Sequence, residues 1–457
     1  MSELVIRGGL VVDADGRRRA DVAIADGVIS AMGEGLESPR GATELDAGGC
    51  IVSPGLVDLH SHLRQPGREQ AETVESAARA AALGGFTAIV AMPNTDPPVD
   101  SASMVHEVLA LGRGAMAEVV AAGAITVGRA GARLAPMAEM AEAGVRIFTD
   151  DGAGVQDGGL MRRALDYAGG LRARGLPVVL AQHCEDSALA GDGVMHEGEW
   201  SSRLGLPGIP AAAEEAMVAR DIALVRLTGV PVHFLHLSAA GSVELVRRAK
   251  AEGLAVTAEA TPHHLALTDE AVESYDPVYR VNPPLRTPDD VLAVRAGLAD
   301  GTIDAVATDH APHAPEDKDV PFDEAPPGML GLETALSVVL TALGALGALG
   351  ALGGPTRTSP QTPDDPGTGF TLESVLSLMT ARPARIAALG ESHGGPLRVG
   401  AVANVCVVDP TETWTVDPGR LASASRNTPY AGWTLTGRVR HTVLRGEPVV
   451  VDAAAQR

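Results

Sequence analysis

The chain of 457 residues is long enough for a large core. It is 45% hydrophobic and 21% charged, with no apolar run of bilayer-spanning length. Its formal charge of −22 argues against nucleic acid or an anionic membrane as partner, because phosphate binding needs concentrated Lys and Arg. Charges beyond roughly 8 Å are screened at physiological salt, so an anionic small molecule stays open and the local site decides.

The first fifty-odd residues alternate short β-prone runs with turn residues: LVIRGGLVVDADG, ADVAIADGVISAMG and GCIVSPG. These read as hairpins. Residues 396–450 repeat the pattern in ANVCVVDP, TWTV, GRVRHTVLRG and EPVVV. The expectation is one small β domain, a sandwich built from residues 1–55 plus 390–457. The opening MSELVIRGG has no basic region followed by an apolar one, so no signal peptide is expected. Cys50, Cys184 and Cys406 lie far apart without CxxC spacing, which argues against disulfides or a thiolate metal site and for a reducing cytoplasm.

Residues 56–389 alternate strand-like runs with alanine-rich helical ones. FTAIVAMPN, VRIFTDD, PVVLAQH, PVHFLH, AVTAEATPHH and IDAVATDH are separated by segments such as ETVESAARAAALGG and AGSVELVRRAKAEG. Repeated β–α units call for a parallel sheet, and this many favour an α/β fold of the (β/α)8 TIM-like barrel type. An open doubly wound sheet is the runner-up, but no GxGxxG follows a first strand. Residues 341–369 break the pattern with a Leu-Gly-Ala repeat and then PTRTSPQTPDDPGTG, a composition expected of a mobile surface insertion.

Chemistry gathers at the strand ends. In VDLHSHLRQPG, His60 and His62 stand two apart, so both face one side of a strand and can share a metal ion. Asp150 and Asp151 follow VRIF, His183 ends PVVLAQ, His236 ends VPVHFL and Asp309 ends IDAVAT. In a parallel barrel these ends form one face, so the groups converge on a metal centre. Only two lysines occur, Lys250 in a helical stretch and Lys318 in EDKD. Neither is placed at a strand end to be carboxylated and bridge two ions. Glu214 and Glu215 read as a solvated helix face, and His263 and His264 as surplus to the ligand count. His106, His196, His233, His393 and His441 have no partner legible in the sequence.

The chain resembles the bacterial class I dihydroorotases of the amidohydrolase superfamily. The resemblance rests on DLHSHLRQPG, AMPNT, FTDDG, HCED, HLS, VNPPLR, TDHAPH and PGMLGLET, in that order from Asp58 to Thr334. It departs at Gln65, where glutamate is usual. The resemblance implies a pair of zinc ions per subunit, with His60 and His62 on one, His183 and His236 on the other, and a bridging aspartate from FTDDG. Asp151 is taken as the bridge, although periodicity does not separate it from Asp150. Asp309 becomes both ligand and proton carrier for attack by a metal-bound hydroxide. His62, Arg64, Asn94 and His313 are implied for the substrate carboxylate. Asn282, Pro327 and Gly328 are implied for the ring.

The implied reaction is the reversible cyclisation of N-carbamoyl-L-aspartate to L-dihydroorotate in pyrimidine biosynthesis. A homodimer and docking to aspartate transcarbamoylase are implied as well. Hydantoinases and allantoinases resemble the same barrel but use a carboxylated lysine, which the lysine-free FTDDG segment argues against. An inactive scaffold would have lost the histidines, and here they are present.

Overall fold

The computed structural model describes residues 3–345 and 370–457. Its centre is a closed ring of parallel strands. Leu56–Ser61, Phe86–Ala91 and Glu118–Ala121 form one run; Ile147–Phe148, Val179–Gln182, Val232–Phe234, Val256–Ala260 and Ala305–Val306 form the other. Parallel bridges Gly123↔Phe148 and Ser61↔His310 join the two runs at both seams. The wall therefore closes in the order expected of a (β/α)8 barrel. The strands LVDLHS and FTAIVA are buried along their whole length, as parallel strands covered on both faces must be.

The intervening helices begin where the sequence supplies caps. Thr73 accepts from the Ser76 amide at 3.1 Å to open Val74–Leu83. Thr287 does the same for Pro288–Ala299, whose proline occupies the first turn. The alanines of the first helix are buried against the wall and bring the helix close to the sheet. Gln65, the departure noted above, accepts from the Val74 amide at 3.0 Å and so serves the same helix start.

Both chain ends enter one sheet. Ile51–Pro54 runs antiparallel to Val405–Thr415, joining the N-terminal strands to Thr434–Leu444 and Glu447–Val451. Leu4, Ile6, Val22, Leu45, Val405 and Val443 share one apolar cluster, so each terminus lacks a core without the other.

Two readings need correction. Glu118–Ala121 is a barrel strand missing from the strand-like runs named above; AEVVA lies between alanines. The expected insertion starts too early, because Ala335–Ala342 is helical and Leu343 and Ala345 are buried. The rest of that segment, 346–369, lies outside the described residues. No helix among the described residues is long and apolar enough to cross a membrane.

Candidate active site

The C-terminal ends of the strands bring His60, His62, Asp151, His183, His236 and Asp309 to one buried point. Asp151 sits at its centre. Its Oδ2 lies 3.4 Å from His60 Nε2 and 3.5 Å from His62 Nε2. Its Oδ1 lies 3.4 Å from His183 Nδ1 and 3.5 Å from His236 Nε2. One carboxylate thus faces two pairs of imidazoles, one pair per oxygen. Asp309 Oδ1 approaches His62 Nε2 at 3.2 Å and His60 Nε2 at 3.5 Å.

Asp150 is taken up elsewhere. It accepts from the amides of Ile125 and Thr126 at 2.9 and 3.0 Å and from the Thr126 hydroxyl, so its oxygens hold the neighbouring loop.

The imidazoles are oriented from behind. His62 Nδ1 donates to Asn94 Oδ1 at 2.8 Å, and His60 Nδ1 donates to Glu259 Oε1 at 3.1 Å. Each ring then turns an Nε2 lone pair into the cluster, and His60 Nε2 is buried without a hydrogen-bond partner. Burial alone would raise the Asp151 carboxyl, but His60 and the surrounding imidazoles hold it well below the usual carboxylate range. The same opposition of burial and nearby histidines lowers Asp309. Lone pairs and ionised oxygens packed this closely, with an orphaned ring nitrogen among them, fit divalent cations with nitrogen and oxygen preference.

The backbone is bent to reach this arrangement. His236 and Asp309 adopt φ of 31° and 46°, and Arg64 adopts 60°. Left-handed non-glycine residues cost about 1–3 kcal/mol each and concentrate at functional sites. Asp58 supplies part of the restraint. It is fully buried and accepts from the Thr308 amide at 2.7 Å, from the Thr308 hydroxyl at 2.6 Å and from the Ser61 hydroxyl, locking the first barrel strand to the last.

Beside the cluster lies a second group of polar residues. Arg64 is 7% exposed; its Nε donates to Pro312 O at 3.0 Å and an Nη faces His313 Nε2 at 3.4 Å. Burial and Arg68 push its guanidinium down to about 10, still a cation at neutral pH. His313 Nε2 donates to Pro327 O at 2.9 Å, and burial with the Arg64 charge pushes that ring down to about 2, so it stays neutral. Gly328 needs to be glycine: at φ 143° a Cβ would meet Ala311 Cβ at 2.7 Å and His313 Nε2 at 2.8 Å. Asn282 turns its amide nitrogen to His183 Nε2 at 3.5 Å, and its Oδ1 is buried without a partner. Asn94 spends its carbonyl on His62, which leaves its amide nitrogen for other contacts.

The C-terminal segment backs this group. Asn427 Nδ2 donates to Ala311 O at 3.0 Å and Gly328 O at 3.1 Å, while its Oδ1 accepts from the His313 amide at 3.2 Å. Lys318 donates to Pro277 O at 2.9 Å, Pro326 O at 2.7 Å and Arg280 O at 3.3 Å, tying two loops together. Lys250 pairs with Asp304 at 2.6 Å. Neither lysine belongs to the cluster.

Several residues were missed or misjudged from sequence. Glu259 and Asp58 were not singled out. Glu214, read as solvated, is 2% exposed and accepts from the Ser238 and Ala239 amides beside Arg286. His233, His393, His196 and His441 do have partners: Glu259, Glu118, Arg286 and the Asp46 carbonyl. His310 turns away from the cluster to Glu72 at 3.3 Å.

A family model described as Dihydro-orotase-like matches residues 49–242. A dihydroorotase of Pelotomaculum thermopropionicum is 49% identical over 452 residues, 98% of this chain and 99% of the relative. One from Streptomyces coelicolor is 48% identical over 455 residues, 99% of each. Among solved structures, the L-hydantoinase (dihydropyrimidinase) of Arthrobacter aurescens superposes with a TM-score of 0.83 at 24% identity, covering 100% of this chain and 98% of that one. A dihydropyrimidinase from Brevibacillus agri gives 0.81 at 22% identity over 99% of this chain and 96% of that one. These structural likenesses establish a shared barrel fold, while the near-full-length sequence identity establishes that the chain belongs to the dihydroorotase family.

Proposed function

We propose that the mouth of the 56–389 barrel interconverts N-carbamoyl-L-aspartate and L-dihydroorotate, with Asp151 shared between two cations and Asp309 moving the proton. The activity is that of a dihydroorotase, a cyclic amidohydrolase of pyrimidine biosynthesis acting on a small molecule. The observation that carries the residue assignment is the central carboxylate of Asp151, each oxygen facing its own pair of histidines.

An amide carbonyl is a poor electrophile and water a poor nucleophile. A zinc ion, when bound, lowers the pKa of water from about 15.7 to about 7 and polarises a carbonyl oxygen. His60, His62, His183, His236, Asp151 and Asp309 would hold a pair of zinc ions. In the hydrolytic direction water oxygen bonds to the ring carbonyl carbon, Asp309 accepts the water proton, and the ring C–N bond breaks as Asp309 returns that proton to the departing nitrogen. Cyclisation runs these steps backwards, with the amide nitrogen attacking the carboxyl carbon and Asp309 protonating the oxygen that leaves as water. Arg64, the Asn94 amide nitrogen and His313, whose Nε2–H leaves Pro327 O when substrate enters, hold the substrate carboxylate. Asn282 with the Pro327–Gly328 backbone holds the ring. Burial strengthens these contacts. The reading extends to a homodimer, to association with aspartate transcarbamoylase and to a cytoplasmic location.

A direct assay of both directions tests the activity. Dihydroorotate and carbamoyl aspartate are expected to interconvert, a chelator to abolish this, and added zinc to restore it. Turnover of hydantoin but neither of these substrates would refute the reading. Replacing Arg64 by alanine is expected to raise KM on the order of 100-fold with a smaller change in kcat, for a lost buried contact to a charge of about 3 kcal/mol. Unchanged KM in steady-state kinetics would show that the carboxylate binds elsewhere.

A further inference from the structure

Beneath the cluster, the barrel interior holds a line of polar groups that the proton transfer described above does not use. Glu259 is fully buried; its Oε1 lies 3.1 Å from His60 Nδ1 and its Oε2 lies 3.0 Å from His233 Nε2. His233, also fully buried, has its Nδ1 2.9 Å from the Thr257 hydroxyl. We propose that Thr257, His233 and Glu259 form a relay of fixed hydrogen-bond direction that locks the tautomer of His60 and thereby sets the cation affinity of the site. This rests on His60 being a ligand, and Glu259 and His233 are positioning residues that act through it.

Donor and acceptor chemistry fixes the direction. A carboxylate only accepts, so both imidazoles beside Glu259 must donate to it. His60 therefore carries its hydrogen on Nδ1 and offers Nε2 as a lone pair, in agreement with the unpartnered state of that atom. His233 carries its hydrogen on Nε2, which makes Nδ1 an acceptor, and the Thr257 hydroxyl donates to it. Thr257 reverses freely, because a hydroxyl both donates and accepts, whereas His233 reverses only by moving its hydrogen from Nε2 to Nδ1. His233 holds the far oxygen of the carboxylate that fixes His60, and the hydrogen directions of the two rings become coupled once residue 259 carries an amide, whose two ends differ.

This reversibility gives the test, read as zinc affinity by competition with a chelator. In Glu259→Gln the amide can present its oxygen to His60 and its NH2 to His233, which then shifts its hydrogen to Nδ1 and donates to Thr257. The expected loss is about 10–100-fold, typical for removing such a supporting carboxylate. Thr257→Val alone leaves Glu259 in control of both rings and is expected to cost less than about threefold. With both changes His233 can no longer donate to Thr257, so the amide turns its NH2 toward His60 and blocks the ligand tautomer. The double variant should then lose at least about tenfold more than the two single effects multiplied.

Multiplicative effects would overturn the relay, as would wild-type affinity in Glu259→Gln. Wild-type protein that binds no zinc would overturn the ligand reading along with it. A second measurement is independent of how the variants fold: imidazole 15N spectra of the zinc-loaded wild type should show hydrogen on Nδ1 of His60 and on Nε2 of His233. The opposite tautomer at either ring would overturn the proposal.

Discussion

Asp309→Ala is expected to lower kcat by about 10³-fold or more in both directions, toward the upper end of what one acid–base group contributes. The side chain is proposed to carry the only proton that must travel from the attacking oxygen to the departing nitrogen, so nothing else in the site substitutes for it. The fold should survive. Among the described residues the carboxylate's ion-pair contacts are with His60 and His62, and the strand end is held independently through Thr308 on Asp58 and through the His310–Ser61 bridge. Steady-state kinetics with a thermal melt of the same sample decide the matter. An unchanged kcat would refute the role, and a collapsed melting transition would mean that Asp309 is structural.

The second large effect separates two neighbours. Asp151→Asn is expected to weaken cation binding on the order of 10³-fold, equivalent to about 4 kcal/mol for a buried charged contact, and to abolish turnover with it. Asp150→Ala should act differently. It leaves the Ile125 and Thr126 amides and the Thr126 hydroxyl without their acceptor, costing about 1–3 kcal/mol of stability per buried unsatisfied group, while the cation ligands remain. Metal analysis and denaturation of both variants check this. If Asp150→Ala lost the cations and Asp151→Asn kept them, the bridge would have been assigned to the wrong residue.

The same pair shows where sequence reading stops. The strand-end rule placed both aspartates at the barrel mouth, because the apolar run before them has only one end. It did not say which one turns inward, since that depends on a loop 24–25 residues upstream whose amides claim Asp150. His60, His62, His183 and His236 were legible for the opposite reason: the first two share one face at the end of a single apolar run, and His183 and His236 each end a run of their own.

Glu259 left a signal that went unread, a carboxylate two positions from Thr257 inside an otherwise apolar strand. A charge that cannot reach water must find a partner. Glu214 misled for a related reason. Its alanine-rich helix reads as solvated, and the Arg286 that pairs with it at 3.7 Å lies far along the chain. The strand Glu118–Ala121 (EVVA) is only four residues long and lies between alanines, so its two valines were too short a run to stand out against the helix propensity around them.

Asn427 has a consequence for how the enzyme is made. By the time residue 309 leaves the ribosome, every proposed cation ligand has been synthesised. The amide that braces His313 and Gly328 arrives more than a hundred residues later, along with the strands that complete the terminal sheet. The brace on the proposed substrate group thus comes from a stretch of chain translated after all the proposed cation ligands and after the residues it supports.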